Sequence, residues 1–380
     1  MKYTVFTPLY NRKDLIYRVY ESLKRQSVRD FEWIIVDDGS TDHPEDVINE
    51  WLNNSDFPIN FIQKKNGGKH SAINRALKEA KGKYFIICDS DDYLTDDALY
   101  LADLWIDEVK FFTDEYEYYI GVGGLKKNLK GEYLLWKEEG GKVNPYGGEP
   151  PFEEFLDCSI AESNDILGFY GDKTEIYRTE IFRKYPFPEF EGENFLTEAA
   201  IFNVMAKDGA TIRYHKDAIE ICEYRPDGLS ADDTKQYKNP KGLGFALQTR
   251  PEPMEKKLQF YLYYYDKLKY ELSFDEIAGN VGLCGKWLCE FRAMAEELLE
   301  KRKILLEEAV KSIDILEKLA LMNVTLEKDE GDSSQITGMY ESLCGTICEI
   351  KPETREFLDA CDLIKAKQIV NGELDDIKAL

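Results

Sequence analysis

Along the first hundred residues, short apolar runs alternate with stretches whose apolar positions recur every three or four residues. That alternation predicts β-α units and a mostly parallel sheet covered by helices on both faces. Four strands are expected, at 3–7, 31–36, 59–63 and 84–88. Between them Leu15, Ile16, Val19, Tyr20 and Leu23 share one helical face, and Ile73, Ala76, Leu77 and Ala80 share another ahead of Gly82. Both stripes read as core.

From about 115 to 225 the pattern is mixed, with strand-like pieces at 118–122, 133–136, 211–214 and 219–224 and shorter helices between them. The Pro- and Gly-rich stretches 239–244 and 250–253 suggest a boundary. Helices are expected beyond it at 256–272, 286–322 with possible breaks, 335–348 and 352–370, and an acidic exposed loop at 327–334. The fold class is therefore α/β over residues 1–245, in halves 1–110 and 111–245, followed by an all-helical extension over 246–380. The aromatic run Phe260, Tyr261, Tyr263, Tyr264, Tyr265 in that extension reads as helix packing, and no chemistry is assigned to it.

Composition narrows the choices. A chain of 380 residues with 43% hydrophobic and 13% aromatic content can bury full-sized cores. Its net charge of −24 disfavours nucleic acid and anionic membrane surfaces as partners. An anionic substrate would need local compensation by cations, backbone NH groups or a metal. The opening segment lacks the apolar core of a signal peptide, and no window approaches the roughly 20 apolar residues of a membrane span, so a cytoplasmic location is expected. Eight scattered cysteines without a CxxC pair read as free thiols.

Open α/β sheets bind ligands at the carboxyl ends of their strands. The residues expected there are Thr7-Pro8, Asp37-Asp38-Gly39-Ser40, Lys64 to Lys69, and Asp89-Ser90-Asp91-Asp92. The last run sets three carboxylates within four residues, where like charges repel unless a cation or a hydrogen-bond network compensates. Hard oxygen donors suit Mg2+ or Mn2+ shared with substrate phosphates; an Asp-rich turn capping its own backbone is the plain alternative. Asn66-Gly67-Gly68-Lys69-His70 offers two permissive glycines, a helix start and a lysine, the parts of an anion cradle. A turn with an exposed lysine also explains it. Gly39 to Asp42 read as a turn and N-cap, which leaves Asp38 free to accept a hydrogen bond from a base NH.

With Thr7-Pro8-Leu9-Tyr10-Asn11-Arg12, Trp33-Ile34-Ile35-Val36-Asp37-Asp38-Gly39-Ser40-Thr41-Asp42, the GGKH segment and the DxD-type run in this order, the chain resembles glycosyltransferase family 2, strongly over residues 1 to about 110 and moderately to about 245. The resemblance implies a GT-A, Rossmann-like fold, with 1–110 the nucleotide-binding half and 111–245 the acceptor half. It implies that Thr7 and Pro8 line the nucleotide pocket, Asp38 contacts the base, Lys69 sits near the diphosphate, Asp91 reaches the metal, and Asp89 and Asp92 share contacts to ribose, metal or sugar.

Family members carry an acidic residue at a helix start in the second half, to deprotonate the acceptor hydroxyl. Here that place belongs to Glu198, with Thr197 as the expected N-cap of a helix to about Lys207 and Ile201, Val204 and Met205 facing the core. A dipole-complementing glutamate, worth about 0.3–1 kcal/mol, is the plain alternative. Ala199 replaces the usual second acid, and Glu193 is a rival base. Arg225 falls where relatives contact diphosphate or acceptor, and a surface turn explains it equally. Segment 172–178 is expected on the acceptor side.

The expected activity is metal-dependent inverting transfer of a sugar from a nucleotide-diphosphate donor, UDP first, to an acceptor hydroxyl in glycan or cell-surface polysaccharide synthesis, with Mn2+ or Mg2+ as cofactor. Glycan, lipid-linked, polyol or teichoic-type acceptors, and association through the helical extension, are the expected partners. The rivals are a sugar-1-phosphate nucleotidyltransferase, whose Gly-x-Gly-x-Arg loop is absent after the first strand, and a non-catalytic nucleotide-binding scaffold, which Ala199 keeps open.

Overall fold

A computed structural model describes residues 1–112, 118–139, 142–144, 147–165, 169–225, 234–326 and 334–380. Contacts divide the chain into two compact units, Met1–Lys257 and Leu258–Leu380.

The first unit opens with the expected alternation: β1 (Tyr3–Leu9), α1 (Tyr17–Arg25), β2 (Phe31–Asp37), α2 (Glu45–Asn54), β3 (Ile59–Gln63), α3 (Lys69–Glu79) and β4 (Tyr84–Ile87). It continues through β5 (Tyr93–Leu94), α4 (Ala98–Phe112), β6 (Tyr119–Lys127), a hairpin of β7 (Lys137–Glu139) and β8 (Lys142–Asn144), β9 (Phe155–Cys158) and α5 (Ile160–Asp165). Then come β10 (Lys173–Arg178), α6 (Thr179–Phe182), α7 (Ala199–Lys207), β11 (Thr211–Ile221) and α8 (Pro240–Thr249). Among the described residues nine strands form one sheet in the order β3-β2-β1-β4-β10-β6-β11-β5, with β9 added on β11.

Strands β1 to β4 are mutually parallel. β10 is antiparallel to both β4 and β6, while β6 and β11 are parallel, so the carboxyl ends of β1, β2, β3, β4, β6 and β11 all leave the sheet on one edge. Alternation along each strand feeds two cores. Tyr3, Val5, Trp33 and Ile35 pack under α1, α2 and α4, whereas Phe6, Ile34, Val36 and Phe85 pack under α3, α6, α7 and α8. A β-branched, apolar sequence buried on both faces is what such a sheet requires.

Three expectations are corrected. Segment 133–136 forms no strand but single bridges, Lys127 to Tyr133 and Leu135 to Gly171. The pieces at 211–214 and 219–224 belong to one strand, β11, with register irregularities against β6. Stretch 239–244 is not a linker: Pro240 starts α8 at the position where its missing NH is harmless, and a Cβ on Gly242 would stand 2.7 Å from Phe195 O. The proline and glycines that suggested a boundary serve a close helix packing.

In the second unit α9 (Met254–Leu268, beginning in the first), α10 (Phe274–Asn280), α11 (Gly285–Leu326), α12 (Ser334–Ile350), α13 (Arg355–Asp359) and α14 (Leu363–Ala379) follow. α11 runs unbroken for 42 residues. Sequence periodicity missed α10, although Ser273 and Glu276 form a full capping box at its start. Tyr261, Tyr264 and Tyr265 are buried, and the rings of Phe274 and Phe291 pack against this run, so it is helix packing. Most of the acidic loop expected at 327–334 lies outside the described residues.

Candidate active site

The four predicted strand ends do emerge together. Asp38 follows β2 and is almost wholly buried, yet its carboxylate is well partnered: Lys64 Nζ donates at 2.6 Å, Gly67 N at 2.9 Å and Gly68 N at 2.7 Å. The amides expected to cradle a ligand anion are thus occupied by the protein's own carboxylate, which holds the turn into α3. Gly68, at φ 87°, packs so close to the second half of the unit that a Cβ would stand 1.9 Å from Asn194 O. Thr7 is also enclosed, accepting from Trp33 Nε1 at 2.9 Å. Pro8, one position on, is half-buried at the strand end.

At the start of α3, Lys69 Nζ donates to Asp89 Oδ2 at 2.9 Å and to Glu198 Oε2 at 3.4 Å. Burial alone would lower the lysine's pKa, but Asp89 and Glu198 hold it above the ordinary value. Asp89, whose burial works the other way, is kept below the usual aspartate range by Lys69 and Lys126.

Asp92 is buried and accepts from Lys126 Nζ at 3.2 Å, and the same nitrogen donates to Glu220 at 2.8 Å. Thr174 Oγ1 donates to the other Glu220 oxygen at 2.9 Å. Lys126 and Glu220 are register partners at the ends of β6 and β11. Sequence reasoning missed both, whereas Lys64 was expected on this edge without a partner; Lys126 and Glu220 meet through strand register alone.

Asp91 differs from its neighbours. Arg12 Nε stands 3.9 Å from Asp91 Oδ2. Burial, then Asp92 and Asp89, raise the Asp91 carboxyl above the ordinary aspartate value. A carboxylate disfavoured by its own surroundings, half-exposed at a crevice edge, suits a divalent cation. Among the described residues no three His, Cys, Asp or Glu side chains are grouped to hold an ion. Arg18 Nη1 reaches Asp91 O at 3.5 Å and donates to Glu223 at 2.8 Å, which brings the stretch before Arg225 beside the acidic run. Arg225 is half-buried there.

Glu198 immediately precedes α7, taking the place expected of Thr197, and its side chain makes no cap. The helix buries Ala200, Ile201 and Met205, with Val204 only half-buried, and Gly209 at φ 81° ends it. Glu193 has another task. Its two oxygens accept from Lys241 N at 2.9 Å and Gly242 N at 2.8 Å, the first amides of α8. Asn239 Oδ1 returns the contact to Asn194 N at 2.8 Å and Phe195 N at 3.1 Å. The segment leading to Glu198 is therefore pinned to a helix start.

No helix among the described residues is long and apolar enough to cross a membrane. Residues 4–146 match the family model of glycosyl transferase family 2. Poly(ribitol-phosphate) beta-N-acetylglucosaminyltransferase TarS of Staphylococcus aureus is 34% identical over 110 residues, 28% of this chain and 19% of that protein. Chondroitin synthase of Pasteurella multocida is 42% identical over 99 residues, 26% of this chain and 10% of that one. A crystal structure of S. aureus TarS 1–349 with UDP-GlcNAc aligns with TM-score 0.49 and 18% identity, covering 97% of this chain and 90% of that chain. The matched stretch thus spans a fifth or less of the curated relatives. Over residues 4–146, the chain is similar to glycosyl transferase family 2.

Proposed function

We propose that this chain transfers a sugar, with inversion, from a UDP-linked donor to an acceptor hydroxyl in cell-surface glycan synthesis, in the cytoplasm. The observation that carries the reading is the meeting of Lys69, Asp89 and Glu198 at the strand-end edge, which joins the nucleotide-binding half to the acceptor half. Pro8 borders the nucleotide, Thr7 supports that wall from behind, and Asp38 serves the nucleotide through the turn it holds. Asp91 would hold Mn2+ or Mg2+, which when bound neutralises charge on the departing diphosphate. Asp89 and Asp92, fixed by Lys69 and Lys126, orient ribose and sugar.

Glu198 takes the acceptor proton. Lys69 aims it and adds positive charge beside the diphosphate. Ala199 leaves the first turn of α7 without a second acid. Calorimetry with UDP and Mn2+, followed by turnover of a UDP-sugar panel, tests the reading: Mn2+-dependent UDP affinity with turnover supports it. Pyrophosphate release from a sugar 1-phosphate and UTP would instead make the chain a nucleotidyltransferase.

A further inference from the structure

Beside the carboxylates, the same edge carries aromatic side chains that the proposed chemistry does not use. Segment 134–136 is strapped across the entry to β10. Asp172 N donates to Leu134 O at 2.9 Å, Trp136 N to Tyr170 O at 3.1 Å, and Gly148 N to Leu135 O at 2.9 Å. Gly171, at φ 131°, permits the approach, since a Cβ there would stand 2.1 Å from Leu134 O. The strap lays Trp136 against Tyr170, ring centroids 5.3 Å apart and planes 20° from parallel.

These rings are wet: Trp136 is 52% and Tyr170 40% exposed. Tyr224, 39% exposed, donates to Asp172 Oδ2 at 2.5 Å, which adds a third ring and a carboxylate. Burying large aromatics stabilises a fold, so backbone bonds that hold two of them flat in solvent favour a binding role.

The platform is continuous with the carboxylate cluster. Thr174, which donates to Glu220 of the Lys126–Asp92 network, lies four residues after Tyr170, just inside β10. At about 3.3 Å per residue the separation along the chain is at most about 13 Å, within the span of a short oligosaccharide.

We propose that Trp136 and Tyr170 form an acceptor subsite that stacks on the face of a pyranose ring, with Asp172 accepting its hydroxyl groups. The proposal rests on the glycosyl-transfer reading and narrows its acceptor to a neutral, ring-bearing glycan. A pyranose offers an apolar C–H face and a hydroxyl rim, which match rings beside a carboxylate. A linear polyol phosphate offers no flat apolar face, and its charge is repelled by Asp172 and by a chain of net charge −24.

Calorimetry on the full chain with chitopentaose, maltopentaose and poly(ribitol phosphate), and separately with UDP and Mn2+, decides it. The wild type is expected to bind a neutral oligosaccharide more tightly than poly(ribitol phosphate). Trp136→Ala and Tyr170→Ala should each weaken that binding about tenfold. Trp136→Phe should restore most of it, and UDP–Mn2+ affinity should stay unchanged in all three. Absence of neutral-oligosaccharide binding, unchanged affinity in both alanine variants, or tighter binding of poly(ribitol phosphate) would overturn the proposal. Loss of UDP–Mn2+ affinity in the wild type would instead sink the glycosyl-transfer reading.

Discussion

Glu198 stands 3.4 Å from Lys69 although 129 residues separate them. The contact ties the start of α7 to the start of α3, and Lys69 also holds Asp89 at 2.9 Å. Under the proposed function, this lysine between two carboxylates is where a donor's diphosphate and an acceptor's hydroxyl would meet. The nearby Gly68–Asn194 approach holds the same two segments by shape rather than charge.

Glu198 and Glu193 should separate cleanly on mutation. Glu198→Gln is expected to leave UDP–Mn2+ affinity near normal and to lower kcat by about 10² to 10⁴. Glu193→Gln removes charge from the first amides of α8, and should cost about 1 kcal/mol of stability with kcat reduced far less. Thermal unfolding beside single-turnover kinetics reads both. A rate loss in Glu193→Gln as large as that in Glu198→Gln would move the base.

Asp91→Asn should bind no Mn2+-dependent UDP and yet unfold at a higher temperature than the wild type. The sign follows from the raised Asp91 carboxyl. A folded-state pKa above the unfolded one means that the folded chain prefers the protonated form, so ionisation at neutral pH destabilises it and a neutral isostere removes that cost. Adding Mn2+ with UDP should stabilise the wild type alone. Thermal shift with and without the pair checks both halves, and a destabilised Asp91→Asn would contradict the electrostatics.

The parts of this architecture that were legible in the sequence rest on local periodicity. Strands β1 to β4 and the buried stripe of α3 follow from spacing alone, and so does the convergence of Asp38, Lys69 and the acidic run on one edge. What escaped depends on distant partners. Lys126 and Glu220 are 94 residues apart and become neighbours through β6–β11 register. Glu193 looked like a possible base because nothing in its own stretch reveals that α8 presents amides to it. Segment 133–136 looked like a strand, but its backbone bonds go to Lys126 O, Tyr170 O and Gly147 N rather than into a ladder.

Asp38 tests whether the glycine turn is held from within. Asp38→Asn puts an amide NH2 against backbone NH donors and removes the charge that faces Lys64. A loss of about 1–3 kcal/mol is expected from leaving such a buried group unpaired. UDP affinity should fall along with it, because the turn shapes the start of α3. Gly68→Ala, which adds strain at φ 87° and a clash with Asn194 O, should lower kcat as well by displacing the approach to Glu198. Unaltered stability in Asp38→Asn would show that the turn stands without its carboxylate.

Lys126 and Glu220 should respond unequally to substitution, and pH should show why. Burial raises the Glu220 carboxyl to about 8 against the opposing pull of Lys126. A raised folded-state pKa contributes stability that is complete below the ordinary glutamate value and is lost as pH rises through the raised one, so Glu220's contribution to the first unit should be lost between about pH 4.5 and 8. Asp89, shifted down, and Lys126, shifted up from an already high value, change little in that window. Glu220→Gln should flatten the slope and cost little, since Gln still accepts from Thr174. Lys126→Met strands Asp92 and Glu220 with no cation between them and should cost about 3–5 kcal/mol. Denaturant unfolding of both variants at pH 5 and pH 8 measures the contrast; a slope unchanged in Glu220→Gln would assign the pH dependence to another group.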